Sequence, residues 1–237
     1  MDVIVRVNNQ TNGRDKLARL AQYVSRLIWH QLESRNVNKY SIERIRSLEN
    51  SLSSFRKVLR LGRCIDTLYS ALNTIQLEDP WLRFTLTLSK VAQALFLYAD
   101  HVVWLSRSGF FKAEADWNKI ANKFWLVSII ANLARDFYEI IHILEMNTVT
   151  LLKPSQFLSG PMKNVAVSDS LKHLLFLVNC HKDVFVDTVK NSCDLFIPLT
   201  ALGYTKFSPS VVGTLGAVSS LAALVTLVKP ITKLVPA

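Results

Sequence analysis

The feature that most limits how this chain can fold is a run of 22 residues without a charge, Phe207 to Val228, bracketed by Lys206 and Lys229. A helix crossing a bilayer needs about 20 predominantly apolar residues, and hydrocarbon admits only backbone that satisfies its own hydrogen bonds. Ser208-Pro209 supplies a capping hydroxyl followed by proline at the first helical position. The spacing therefore predicts a spanning helix over 207–228; the competing reading is a buried core helix of a soluble protein. Gly213, Gly216, Ala217 and Ser220 give this helix a small-residue face suited to close helix contact. That face is the expected self-association surface.

Upstream, the chain is apolar but interrupted. Half of it is hydrophobic, and its net charge of +10 is unevenly placed. Residues 1–63 carry 13 Lys/Arg against 5 Asp/Glu, whereas the remainder carries 15 against 13. A basic end of this kind points to nucleic acid or an anionic membrane surface. No zinc-finger or aromatic RNA-binding pattern accompanies the charge, so nucleic acid is not expected.

The stretch Phe55 to Ile75 gives the basic end a form. On a helical wheel Val58, Leu61, Ile65, Leu68, Leu72 and Ile75 share one side, while Arg56, Lys57, Arg60 and Arg63 provide the cationic face. Such a helix can lie in a membrane surface with its apolar face down and its cations toward anionic headgroups. It can equally be a soluble helix packing its stripe on a neighbour, and periodicity does not separate the two. The preceding stripe, Ile45, Leu48, Leu52, Phe55 and Leu59, is out of phase with this one, so a bend is expected between Leu59 and Gly62.

Other helices read from caps and periodicity. The first starts at an Asn12 cap, carries Leu17, Leu20, Val24, Leu27 and Gln31 on one face, and ends near Ser34; Ser41 is the expected cap of the second. Asp79-Pro80 opens a helix that Gly109 stops. The next, about Asp116 to Asn147, has an uncharged core of 11 residues, too short to span, followed by Arg135, Asp136 and Glu139. Arg135 and Glu139, one turn apart, are expected to pair, making these three a structural polar cluster or, alternatively, a polar lining. Residues 148–168 read as a loop, and a further helix from about Asp169 should stop before Pro198.

Catalytic motifs are not found. Asp100-His101 has no nucleophile at a supporting spacing, and His173, Cys180, His181 and Cys193 lack a metal-ligand pattern. No enzyme, cofactor or metal is expected. Three scattered cysteines and an N-terminus without a long apolar core suggest a reducing compartment and no secretory signal.

Three segments, RKVLRLGR (Arg56–Arg63), NLARDFYEI (Asn132–Ile140) and NSCDLFIPL (Asn191–Leu199), together resemble the peroxisomal biogenesis factor 11 family, and most closely its animal beta-type members. The loop Lys153 to Ser168 departs from the pattern by lacking a Gly-rich insert. The resemblance implies an integral peroxisomal membrane protein with both termini toward the cytosol. It also implies elongation of the membrane before fission, self-association, and recruitment of a dynamin-related GTPase and its tail-anchored adaptors. The family's membrane-inserting amphipathic helix corresponds to Arg56 to Ile75.

The expectation is an all-α integral membrane protein with interfacial amphipathic helices and a C-terminal span. Residues 1–110 form a basic, cytosol-facing helical region with its membrane-binding helix near 56–77, and 111–237 a membrane-associated region. It remodels the peroxisomal membrane by helix insertion and self-association on anionic lipids; the alternative is a pore for small metabolites.

Overall fold

The computed structural model describes residues 5, 7–36, 38–112, 115–151, 180–229 and 234. Among them every regular element is a helix: α1 (Thr11–Ser34), α2 (Lys39–Leu59), α3 (Arg63–Ile75), α4 (Pro80–Arg107), α5 (Trp117–Leu151), α6 (Lys182–Ala201) and α7 (Pro209–Val228).

Local chemistry sets the boundaries. Asn38, not Ser41, caps α2, its side chain accepting from the Tyr40 amide. The first helix begins after Gln10, which makes no side-chain cap, rather than at Asn12. The Asp79 carboxylate accepts from the amides of Trp81 and Leu82 at 2.8 and 3.2 Å, and Pro80 follows as the first helical residue. Ser208 and Pro209 open α7 in the same way. The expected bend falls between α2 and α3, where Gly62 takes a left-handed conformation with φ +79°, one that glycine adopts without a Cβ penalty. Gly109, φ +84°, follows the end of α4. Pro198 does not end α6, which runs on to Ala201. A proline this near the C-terminus removes one backbone hydrogen bond, and Leu202 still donates to the Pro198 carbonyl at 2.9 Å. Of the expected loop 148–168, residues 148–151 continue α5 and the rest lies outside the described residues.

The helices close a ring. Helix α7 packs on α1, α1 on α2, α2 on α4, α4 on α5, α5 on α6, and α6 back on α7, with α2 and α4 meeting most sparsely. Helix α3 stands outside the ring, on α4. A small apolar cluster of Tyr23, Ile197 and Val212, flanked by Trp125 and Ala217, joins α1, α5, α6 and α7.

Helices α1, α2, α4 and α5 all turn large apolar residues outward. Leu17, Val24 and Ile28 of α1, Leu48 and Phe55 of α2, Phe84 and Leu95 of α4, and Ile130 and Phe137 of α5 are all exposed. Buried in their place are Asp15, Arg19, Gln22, Glu49, Asp100, Arg135, Asp136, Asn191 and Asp194. A buried polar group and an exposed apolar surface are the informative exceptions to ordinary globular packing. Their coincidence on these four helices points to an outer wall that meets an apolar surrounding. Helix α7 is the one helix among the described residues long and apolar enough to cross a membrane.

The small-residue face of α7 has an occupant within the same chain. A Cβ on Gly216 would run into the Tyr23 ring of α1, and one on Gly213 would lie 3.1 Å from the Tyr23 carbonyl oxygen and the Leu27 amide. Gly213, Gly216 and Ser220 are buried and Ala217 packs beside the apolar cluster. The face expected to meet a second copy is covered by α1, because two glycines let that helix approach at backbone distance. Replacing Gly216 with leucine should therefore destabilise the fold by about 1–3 kcal/mol, the usual range for overpacking. Thermal unfolding in detergent micelles measures this; an unchanged midpoint would mean that α1 is not seated there.

Candidate membrane surface and charged interior

Helix α3 presents two unlike sides. Ala71 and Thr74 are buried and Thr67 and Ser70 half-buried, toward α4. The Thr74 and Thr87 hydroxyls hydrogen-bond at 2.8 Å across that contact. The opposite side carries Ile65, 71 % exposed, Tyr69, 70 % exposed, and Leu68, Leu72 and Ile75. Val58 and Leu61, before the bend, are exposed as well. All six residues of the sequence-derived apolar face are thus exposed, four of them on the side of α3 away from α4. Small and hydroxylated residues make the tertiary contact and large apolar ones are left outside, the reverse of a soluble amphipathic helix.

The four cations of this segment do not form the expected headgroup-facing surface. Arg56 Nε donates to Asp15 Oδ1 at 3.1 Å and its Nη1 to Gln22 Oε1 at 2.8 Å. Lys57 is buried against Asp100. Arg60 Nη2 donates to Asp100 Oδ2 at 2.6 Å and stacks its guanidinium over Phe96, 5.5 Å from the ring centre. Arg63 is half-buried and reaches Asn12 Oδ1 at 3.4 Å. The wheel places Arg56, Arg60 and Arg63 opposite the apolar stripe. In this fold, however, that direction leads into the ring, where carboxylates of α1 and α4 meet them. His101 Nε2 lies 2.8 Å from the Arg60 carbonyl oxygen, so the Asp100-His101 pair belongs to the same structural junction.

Similar links tie the other junctions. Arg26 Nε and Trp29 Nε1 of α1 donate to Glu49 of α2 at 2.7 and 2.6 Å. Arg19 of α1 pairs with Asp194 of α6. Ser89 of α4 donates to Asn132 Oδ1 of α5 at 2.6 Å. Arg135 does not take Glu139 as its partner. It pairs with Asp136 at 2.7 Å and with Asp187 of α6, while Asn191 Nδ2 donates to Asp136 Oδ2 at 2.7 Å. Asp136 is wholly buried, and the polar cluster is therefore Arg135, Asp136, Asp187 and Asn191; Glu139 makes no ion pair among the described residues. At the opening of α4, Tyr138 of α5 donates to Asp79 Oδ2 at 2.6 Å; that bond, with the Leu82 and Trp81 amides, lowers the Asp79 pKa.

These side chains line a half-open cavity of about 1340 Å³, shared by all six ring helices and by Asp66, Thr67 and Ser70 of α3. Cations outnumber carboxylates in its lining. No group of three His, Cys, Asp or Glu among the described residues could hold a metal ion; His173 of the candidate set lies outside them. Sequence reasoning did not pair Asp194 with Arg19, Asp15 with Arg56, Asp100 with Lys57 and Arg60, or Asp187 with Arg135. The available signal was that each amphipathic helix carries an acid opposite its apolar stripe.

An apolar perimeter, a spanning helix and paired internal charges define an all-α membrane protein. The family profile of peroxisomal biogenesis factor 11 matches residues 1–228. Peroxisomal membrane protein 11B of Bos taurus is 35 % identical, with all of both chains aligned, as is 11B of Homo sapiens. Peroxisomal membrane protein 11A of Bos taurus is 32 % identical over 99 % of each chain. No solved structure matches. The chain belongs to the peroxisomal biogenesis factor 11 family.

Removing one partner of a buried ion pair is costly because it strands the other charge. Asp100→Ala, which leaves Lys57 without its carboxylate, should lower stability by about 3–5 kcal/mol. Asp100→Leu combined with Lys57→Met and Arg60→Met should lose much less. Denaturant unfolding in micelles distinguishes the two variants; equal losses would mean that the ionic junction is not what holds α2 to α4.

Proposed function

We propose that the protein elongates and tubulates the peroxisomal membrane, promoting peroxisome fission and proliferation, with the α3 ridge as the inserting element. The observation that carries this reading is the outward ridge Val58, Leu61, Ile65, Leu68, Leu72 and Ile75, held on α4 by its small side. Removing a large aliphatic side chain from water is worth about 1.5–3 kcal/mol, so seating the ridge in a leaflet is strongly favoured. Insertion to about 5–10 Å expands one leaflet against the other and favours curvature. Attraction to anionic lipid then draws on the overall basic charge of the N-terminal region, since Arg56, Lys57 and Arg60 are engaged inside.

Self-association concentrates such insertions. With the glycine face of α7 covered by α1, it falls to the outward residues Val211, Val218, Leu221 and Val225. Family membership supports a peroxisomal membrane location and, by resemblance, hand-over to a dynamin-related GTPase and its tail-anchored adaptors. By resemblance both termini face the cytosol, and for the C-terminus Lys229 and Lys233, which follow the span against Lys206 shortly before it, support this. Protease protection of a C-terminal tag on intact organelles would contradict that assignment.

One observation favours a second reading, a pore for small metabolites: the charged cavity, lined in part by Arg135. Purified protein on anionic liposomes separates the two. Tubulation without solute leakage is expected, and replacing Leu61, Ile65, Leu68 and Leu72 with serine should abolish it while the protein stays bound through α7. Undiminished tubulation by that variant would overturn the role given to α3, and voltage-dependent single-channel currents would favour the pore.

A further inference from the structure

Most cations facing the cavity already have carboxylate partners. Arg19 has Asp194, Arg56 has Asp15, Lys190 has Asp187, and Arg60 has Asp100. Lys16 of α1 differs. It lines the cavity and makes no hydrogen bond or ion pair among the described residues. The positive charges of Arg19, Arg56 and Lys190, from three different helices, all act on it, and Asp15 is the one carboxylate among its main electrostatic neighbours. Asp15 is itself shared between Arg56 and Arg60. A half-buried ammonium among like charges is disfavoured, and a bound anion offsets that cost.

We propose that the cavity binds a phosphate-bearing anion at Lys16, with Arg19, Arg56 and Lys190 completing the positive field. Phosphate suits such a cluster because its several oxygens accept from guanidinium and ammonium groups together. The volume, about 1340 Å³, exceeds the range of about 300–1000 Å³ usual for small-molecule sites, so an ester much larger than phosphate itself fits. Such a group has two sources, a water-soluble phosphate ester or a phospholipid headgroup admitted between helices. The site does not depend on whether the protein tubulates membranes or conducts solute.

The test uses the full-length protein in neutral detergent micelles at constant ionic strength. Inorganic pyrophosphate and dioctanoyl phosphatidic acid are titrated separately, with thermal unfolding and calorimetry as readouts. At least one should bind saturably and raise the melting temperature; pyrophosphate alone assigns a soluble ester, phosphatidic acid alone a headgroup. Lys16→Gln should weaken binding at least tenfold without lowering the melting temperature of the free protein, since no ion pair is lost. Lys16→Arg should keep affinity within about threefold, since the charge is retained. Lys119→Gln, on the exposed part of α5, should behave as wild type. Binding of neither probe, or wild-type affinity in Lys16→Gln, would overturn the proposal.

Discussion

The rest of the structure depends on pairing charge inside an apolar wall. Ionised groups taken from water are tolerated when a counter-charge and hydrogen bonds meet them. Helices in lipid gain little from burying apolar surface against one another, since acyl chains are as apolar as leucine. Polar contacts and close small-residue packing then decide which helices meet. Here Glu49 joins α1 to α2, Asp100 joins α2 to α4, Asp187 joins α5 to α6, and Asp194 joins α6 to α1. Of the other ring contacts, α4 meets α5 through the Ser89–Asn132 hydrogen bond, and α1 meets α7 at glycines under Tyr23.

That arrangement explains the position of α3. It lies outside the ring and docks on α4 through Ala71, Thr74 and its hydroxylated neighbours. The left-handed Gly62 redirects the chain just after Lys57 and Arg60 have been fixed to Asp100. The cations therefore act as the anchor of the bend, and the ridge is delivered outward from it. Charge and apolarity, which the helical wheel combined into one membrane-binding surface, are divided between an internal brace and an external face.

Much of this was legible in the sequence. The all-α class, the C-terminal span, the break at Gly62, and the caps at Asp79 and Ser208 follow from local chemistry, which neighbouring residues carry by themselves. A helical wheel also finds each stripe but is blind to the medium it faces. The cationic side of Arg56 to Arg63 was assigned to headgroups because its carboxylates are distant in sequence: Asp15 and Arg56 are 41 residues apart, Lys57 and Asp100 43. For Arg135 the local candidate, Glu139, was at the right spacing, yet Asp187 on the neighbouring helix took the contact. The glycine face of α7 was recognised as a contact surface, but composition does not distinguish a second copy from a helix of the same chain.

The central claim is that the stripes face lipid and the charges face inward. Depth-dependent quenching tests it most directly. Single cysteines, introduced into a variant lacking Cys64, Cys180 and Cys193, carry an environment-sensitive fluorophore in vesicles containing brominated lipid. The account predicts strong lipid quenching at positions 65, 68 and 72 of α3, 24 of α1 and 130 of α5, and weak quenching at 74, 25 and 128. Uniform quenching at all of these positions, or the opposite alternation, would contradict it.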